Sequence, residues 1–269
     1  MTLIILDSIK AVILGIVEGF TEFLPISSTG HLILVNQYLS FDREFTLLFD
    51  IVIQLGAILA VVVYFCVPTG HRPKGEKRLW QDKSIWLKSI IGVLPAIILG
   101  ALFAGKIEEK LFNPWTVAVA LLVGGVIILF IEKRPQNPKI LSISNLSFKT
   151  AFLIGLVQCL SMIPGTSRAG ATIIGAMVFG ASRVVATEFS FFLAIPTMFA
   201  ASAWSLAKYN AFLNAQQILV LAIGFIVSFV VALAVVKFLI NYVQKNNFKL
   251  FGYYRIVLGI IIIAYFIIR

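Results

Sequence analysis

Two apolar stretches of this chain are broken by proline and polar residues, and the two breaks are alike. The first runs Gly15-Ile-Val-Glu-Gly-Phe-Thr-Glu-Phe-Leu-Pro-Ile-Ser-Ser-Thr-Gly-His31, the second Gly155-Leu-Val-Gln-Cys-Leu-Ser-Met-Ile-Pro-Gly-Thr-Ser-Arg-Ala-Gly170. Gly15 aligns with Gly155, Glu18 with Gln158 and Thr21 with Ser161; after a one-residue gap Pro25 aligns with Pro164 and Ser28 with Ser167. The chain around them is 60% hydrophobic and 13% charged over 269 residues. That balance indicates an integral membrane protein with one membrane domain, 1–269, and no separate soluble domain. Irregular backbone at membrane depth must be enclosed by protein or line a wet cavity. Two such breaks therefore imply a common interior site, built where related halves meet.

Continuous apolar runs predict spans near 46–67, 85–104, 115–131, 186–207, 216–240 and 253–268. The interrupted segments near 3–40 and 150–182 predict helix–break–helix hairpins that enter the membrane and return. Further pairs extend the repeat: Phe49-Asp50 resembles Phe189-Ser190, Ile91-Gly92 resembles Ile223-Gly224, and Gly124 resembles Gly259. Each half, 1–131 and 150–269, then holds one hairpin and three spans. An odd number of spans inverts the second half relative to the first. The fold expected is an all-α, inverted-topology repeat with six transmembrane helices and two re-entrant helical hairpins.

Charge supports the same arrangement. The loops near 68–88, 132–149 and 237–255 hold most cations, among them Arg72, Lys74, Lys77, Arg78, Lys133, Arg134, Lys139 and Lys149. The intervening loops near 105–114 and 208–215 hold only Lys106, Lys110 and Lys208. The basic set is expected in the cytoplasm, so the first hairpin dips in from outside and the second from the cytoplasm. The net charge of +10 is read as this orientation signal and not as nucleic-acid binding. No cleavable signal pattern precedes the first apolar run, and Cys66 and Cys159 form neither a disulfide framework nor a metal motif. His71 lies in the basic loop and is given no chemistry.

The polar residues at the breaks divide the parts of a phosphate-handling site between them. Glu18 and Glu22 share a helix face four residues apart, where two anions call for a divalent metal, a proton or an arginine. Ser27, Ser28 and Thr29 open the next helix; one hydroxyl suffices for a cap, and a helix N-terminus is also an anion site. His31 follows Ser28 by three residues, within reach of its hydroxyl as a base. Thr166 and Ser167 precede Arg168, whose planar fork matches phosphate oxygens. Asp50 and Gln54 form another polar pair that can line the cavity, while Arg183 and Glu188 suit interfacial positions equally well.

These residues resemble the bacitracin-resistance family of undecaprenyl-diphosphate phosphatases. The resemblance rests on Glu18 to His31 and on Pro164-Gly-Thr-Ser-Arg-Ala-Gly170, and it extends through Phe49 to Gly56 and the apolar spans over nearly the whole chain. Ala169 stands where the family's second motif usually has another small residue, Ser included. The resemblance implies hydrolysis of undecaprenyl diphosphate to the monophosphate, recycling the lipid carrier of peptidoglycan synthesis. It implies a multi-pass enzyme of the bacterial plasma membrane, its site facing outside, dependent on Mg²⁺ or Ca²⁺, and conferring bacitracin resistance when abundant. A second lipid-phosphatase family uses Ser-Gly-His with a second site histidine; His71, the only other histidine here, is in the basic loop, so that assignment fails.

The expected catalytic residues are Ser28, His31, Glu22 and Arg168, with Ser27, Thr29, Thr166, Ser167, Gln54 and Asp50 at the substrate and Glu18 and Glu22 at the metal. Ser28 attacks with His31 as base, or His31 attacks itself; sequence leaves both open. The expected partners are the lipid diphosphate, the membrane and a second copy of the chain in a homodimer, with no nucleic acid. The rival reading is a transporter or flippase for a polyprenyl phosphate, since broken helices in inverted repeats are also transporter architecture.

Overall fold

A computed structural model describes residues 2–66, 79–135, 137–207 and 212–268. Ten α-helices follow one another: α1 (Thr2–Thr21), α2 (Ser28–Leu39), α3 (Arg43–Cys66), α4 (Lys83–Leu111), α5 (Pro114–Lys133), α6 (Phe148–Gln158), α7 (Arg168–Val178), α8 (Arg183–Ala207), α9 (Ala215–Val243) and α10 (Lys249–Ile268). Among the described residues there is no β-strand, only one isolated bridge between Ile140 and Ala181. Six helices, α3, α4, α5, α8, α9 and α10, are long and apolar enough to cross a membrane. The protein is thus an all-helical, multi-pass membrane protein.

Local signals set the helix starts. Asn113 caps α5 with Pro114 in its first turn, Ser147 caps α6, and Asn214 with Gln217 closes a capping box on α9. Side-chain polarity is arranged for lipid. Ile97, Ile98, Leu102, Val119, Val123, Val126, Ile226, Val230, Val257, Ile260 and Ile261 are all exposed. In water so much outward apolar surface would be a liability; against acyl chains it costs nothing. The interior is centred on α8, whose Phe189, Phe191, Phe192 and Leu193 are fully buried.

Glycines let the helices approach closely. A methyl at Gly15 would meet the Gly224 carbonyl at 2.8 Å, and one at Gly155 would collide with the Gly92 carbonyl. The hairpin of each half therefore packs on a span of the other: α1 lies on α9, and α6 lies on α4. The remaining large pairings, α3 with α9, α4 with α8, and α5 with α10, follow the same exchange.

The structure moves several boundaries drawn from sequence. Helix α4 continues to Leu111, so Lys106 and Lys110 lie on its last turns and not in a loop. Helix α9 continues to Val243 and α10 begins at Lys249, which leaves Lys237 and Arg255 inside helices. Arg255 is 1% exposed, so counting it among loop cations was wrong. Hydropathy windows blur here because one arginine lowers the mean over a turn or two in either direction. The basic segment with His71, Arg72, Lys74, Lys77 and Arg78 lies outside the described residues, as does Lys208.

Candidate active site

Each hairpin breaks in the same way. Helix α1 ends at Thr21, although the Glu22 amide still donates to the Glu18 carbonyl at 2.9 Å and keeps both carboxylates on one turn. After Pro25 the chain reaches Ser27 at φ 73° and ψ 99°, and Ser27 caps α2 by accepting from the Gly30 amide at 3.2 Å. In the second hairpin Ser167 stands at φ 69° and ψ 115° and caps α7 by accepting from the Gly170 amide at 3.0 Å. Non-glycine residues rarely hold positive φ, and such strain persists where the surroundings enforce it, commonly at functional sites. Gly165, at φ 91°, supplies the second turn.

The two breaks are joined through Glu22. Its Oε2 accepts from the Ser28 hydroxyl at 2.5 Å, and its Oε1 accepts from Arg168 Nη2 at 3.1 Å. Glu22 is 7% exposed. Arg168 also donates from Nη1 to the Ser190 carbonyl at 3.2 Å and lies over the Phe23 ring at 5.5 Å. Its buried Nε–H has no acceptor among the described residues. A hydroxyl hydrogen-bonded to a buried carboxylate, beside a guanidinium with a donor to spare, can both receive an anion and be activated to attack it.

His31 stands elsewhere than its spacing suggested. Its Nδ1 meets the Ser27 carbonyl at 2.7 Å, its Nε2 meets the Tyr254 hydroxyl at 2.6 Å, and the two rings stack. The side chain in contact with the Ser28 hydroxyl is Glu22, not His31. Ser28 thus meets Glu22 just beyond the end of α1, while His31 meets Tyr254 on α10. Ser27 and Ser167 spend their hydroxyls as caps, and Thr29 and Thr166 flank them at the two breaks. Asp50 accepts from the Asn36 amide at 3.2 Å and keeps one buried oxygen without a partner. Gln54 lies one turn further along α3, half-buried. Arg183 pairs with Glu132, which also accepts from the Phe248 amide at 2.9 Å; this ties three helix ends together away from the breaks.

Glu18 is 2% exposed and lies within Coulombic range of Glu22, Asp50 and Arg168. Among the described residues its carboxylate makes no hydrogen bond or ion pair, which leaves it available to a cation. No group of three or more His, Cys, Asp or Glu side chains is arranged to hold a metal among the described residues. A hard ion that takes one or two carboxylates and completes its shell with phosphate oxygens and water does fit.

Sequence reasoning missed Tyr254, Asn36, Ser190 and Arg255. Only Arg255 carried a signal, as a lone cation in an apolar run.

The comparisons agree on one family. The profile of "Bacitracin resistance protein BacA" matches residues 11–261. A protein of Lachnoclostridium phytofermentans named undecaprenyl-diphosphatase is 48% identical over 269 residues, with 98% of each chain covered. One of the same name from Limosilactobacillus fermentum is 52% identical over 271 residues, covering 97% of this chain and 98% of its own. A third, from Enterococcus faecalis, is 47% identical over 268 residues, covering 96% and 97%. With its two breaks meeting at Glu22 and its full length matched, the chain belongs to the bacitracin resistance protein BacA family.

Proposed function

We propose that the protein hydrolyses undecaprenyl diphosphate to undecaprenyl phosphate and inorganic phosphate, and that the two breaks form its active site. The observation that supports this reading is the Ser28–Glu22–Arg168 chain of hydrogen bonds across the two breaks, whose members are the proposed nucleophile, base and anion clamp. Arg168 and the amides that open α2 and α7 receive the terminal phosphate. Thr29 and Thr166 lie beside it, with Ser27 and Ser167 holding the helix ends. Ser28 Oγ attacks the terminal phosphorus while its proton passes to Glu22. The bond from phosphorus to the bridging oxygen breaks, and the prenyl monophosphate leaves with that oxygen, which takes the proton from Glu22 and so frees the carboxylate for the next step. Water then splits the phosphoserine, giving its hydroxyl to phosphorus and its proton to Ser28 Oγ.

Glu18 and Glu22 would hold the divalent cation, Mg²⁺ or Ca²⁺, which when bound neutralises charge on the phosphate oxygens. The Glu22–Ser28 contact favours hydrolysis over carriage, because a carrier needs no base at its binding hydroxyl. His31, held between Ser27 and Tyr254, orients the entry to α2 in this reading and does not take the serine proton. Asp50, within Coulombic range of Glu18, and Gln54, one turn further along α3, would complete the substrate side of the site.

The swapped packing of α1 on α9 and α6 on α4, with matching strain at Ser27 and Ser167, supports an inverted repeat of residues 1–131 and 150–269 with two re-entrant hairpins. The cation distribution supports a site facing outside in the bacterial plasma membrane.

Purified protein in detergent is expected to release inorganic phosphate from a prenyl diphosphate when Mg²⁺ or Ca²⁺ is present. Chelation is expected to stop it, and either ion to restore it. No release with either ion would overturn the activity; full release in chelator would return Glu18 and Glu22 to proton handling.

A further inference from the structure

Arg255 is a charged side chain that is fully buried among the described residues, and the reaction as derived does not use it. It lies on α10, 1% exposed, and among the described residues no carboxylate pairs with it. All five of its N–H donors instead reach backbone carbonyls. Nε donates to Leu121 at 3.4 Å, and Nη2 to Ala120 at 3.0 Å and to Gly165 at 3.1 Å. Nη1 donates to Thr166 at 2.9 Å and to Pro25 at 3.3 Å. A single nitrogen therefore holds a carbonyl from each break, and the rest of the fork fixes both against α5.

The carbonyls explain why an arginine is needed. Pro25, Gly165 and Thr166 stand where the helices are interrupted, so no amide of a following turn reaches their oxygens. Within a membrane such oxygens are expensive to leave unpaired. Water could satisfy them one by one, but only a rigid planar fork imposes fixed distances among all of them. Pro25 precedes Ser28 by three residues and Thr166 precedes Arg168 by two. Gly124 makes the room, since a methyl there would run into the guanidinium.

We propose that Arg255 is a positioning residue: its guanidinium locks the two breaks together and thereby sets the reach from Ser28 to Arg168. This rests on the phosphatase reading for its consequence, but the lock itself is a statement about geometry. Misplacing reacting groups by about 1 Å can cost about 100-fold in rate. Arg255→Lys keeps the charge with three donors on a flexible stem, so it should fail nearly as badly as Arg255→Gln.

The test combines kinetics with a distance. In Arg255→Lys and Arg255→Gln, kcat for phosphate release should fall by about 100-fold, with KM changed by less than about threefold. Spin labels at Ser40→Cys on the first hairpin and Val178→Cys on the second, in a background without Cys66 and Cys159, should give a narrow distance distribution that broadens in both variants. A near-normal kcat in Arg255→Lys would overturn the proposal. So would a rise in KM alone, which would make Arg255 a phosphate contact, or a loss of thermal stability with normal kcat, which would make it purely structural. Should both variants misfold, Gly124→Ala displaces the guanidinium without removing it, and the same fall in kcat is expected; unchanged kcat and distances there would overturn the lock. If the parent protein released no phosphate, the phosphatase reading would fail, and the distance distributions alone would still decide the lock.

Discussion

Ser28→Ala should reduce phosphate release by roughly 10⁴-fold or more, because it removes the hydroxyl that Glu22 contacts and would activate. The neighbouring hydroxyls are the control. Ser27 spends its oxygen on the Gly30 amide, so Ser27→Ala loses a helix cap, worth about 0.5–2 kcal/mol and at most roughly thirtyfold in rate if all of it is felt in the transition state. Glu22→Gln should resemble Ser28→Ala, since the amide neither accepts the serine proton nor balances Arg168. His31→Ala should be much milder than either, because His31 contacts Ser27 and Tyr254 and not Ser28. Steady-state phosphate release from the four variants settles the order. A severe His31→Ala with a mild Ser28→Ala would reverse the assignment and make the imidazole the nucleophile.

Arg168→Lys should lose about 100-fold or more in kcat, even though the positive charge remains. The guanidinium has three tasks at once: Nη1 on the Ser190 carbonyl, Nη2 on Glu22, and a free Nε–H for the incoming phosphate. An ammonium on a flexible stem cannot hold all three directions. It would also leave Glu22 without its bidentate-capable partner, at 10% side-chain exposure or less around the pair. Retention of near-normal turnover by Arg168→Lys would show that charge, and not fork geometry, is what the site requires.

Much of this was legible in the sequence because apolar length and proline position are local properties. The six spans and both breaks follow from residues within one window. Ser28, Glu22 and Arg168 stood out because polar groups in an apolar run are expensive and so ask for a reason. The partner of Ser28 was not legible. Spacing of three to His31 and of six to Glu22 left the histidine the natural choice, yet the Ser28 hydroxyl meets Glu22 across the break while His31, on the same helix, bonds the Ser27 carbonyl and Tyr254. Arg255 was hidden for a different reason. Its partners are carbonyls of residues far apart in the chain, and carbonyls have no side-chain signature. Its charge in an apolar run asked for a reason, but the nearby Lys245 and Lys249 offered a loop reading until α10 is seen to begin at Lys249.

The central claim is that a group of the protein, and not water, attacks the terminal phosphorus. Its most direct test is the stereochemical course at that phosphorus, followed with a prenyl diphosphate made chiral by sulfur and oxygen isotopes at the terminal position. Attack by Ser28 and then by water inverts the centre twice, so the inorganic product should show net retention. Net inversion would mean one direct displacement by water and would contradict the account.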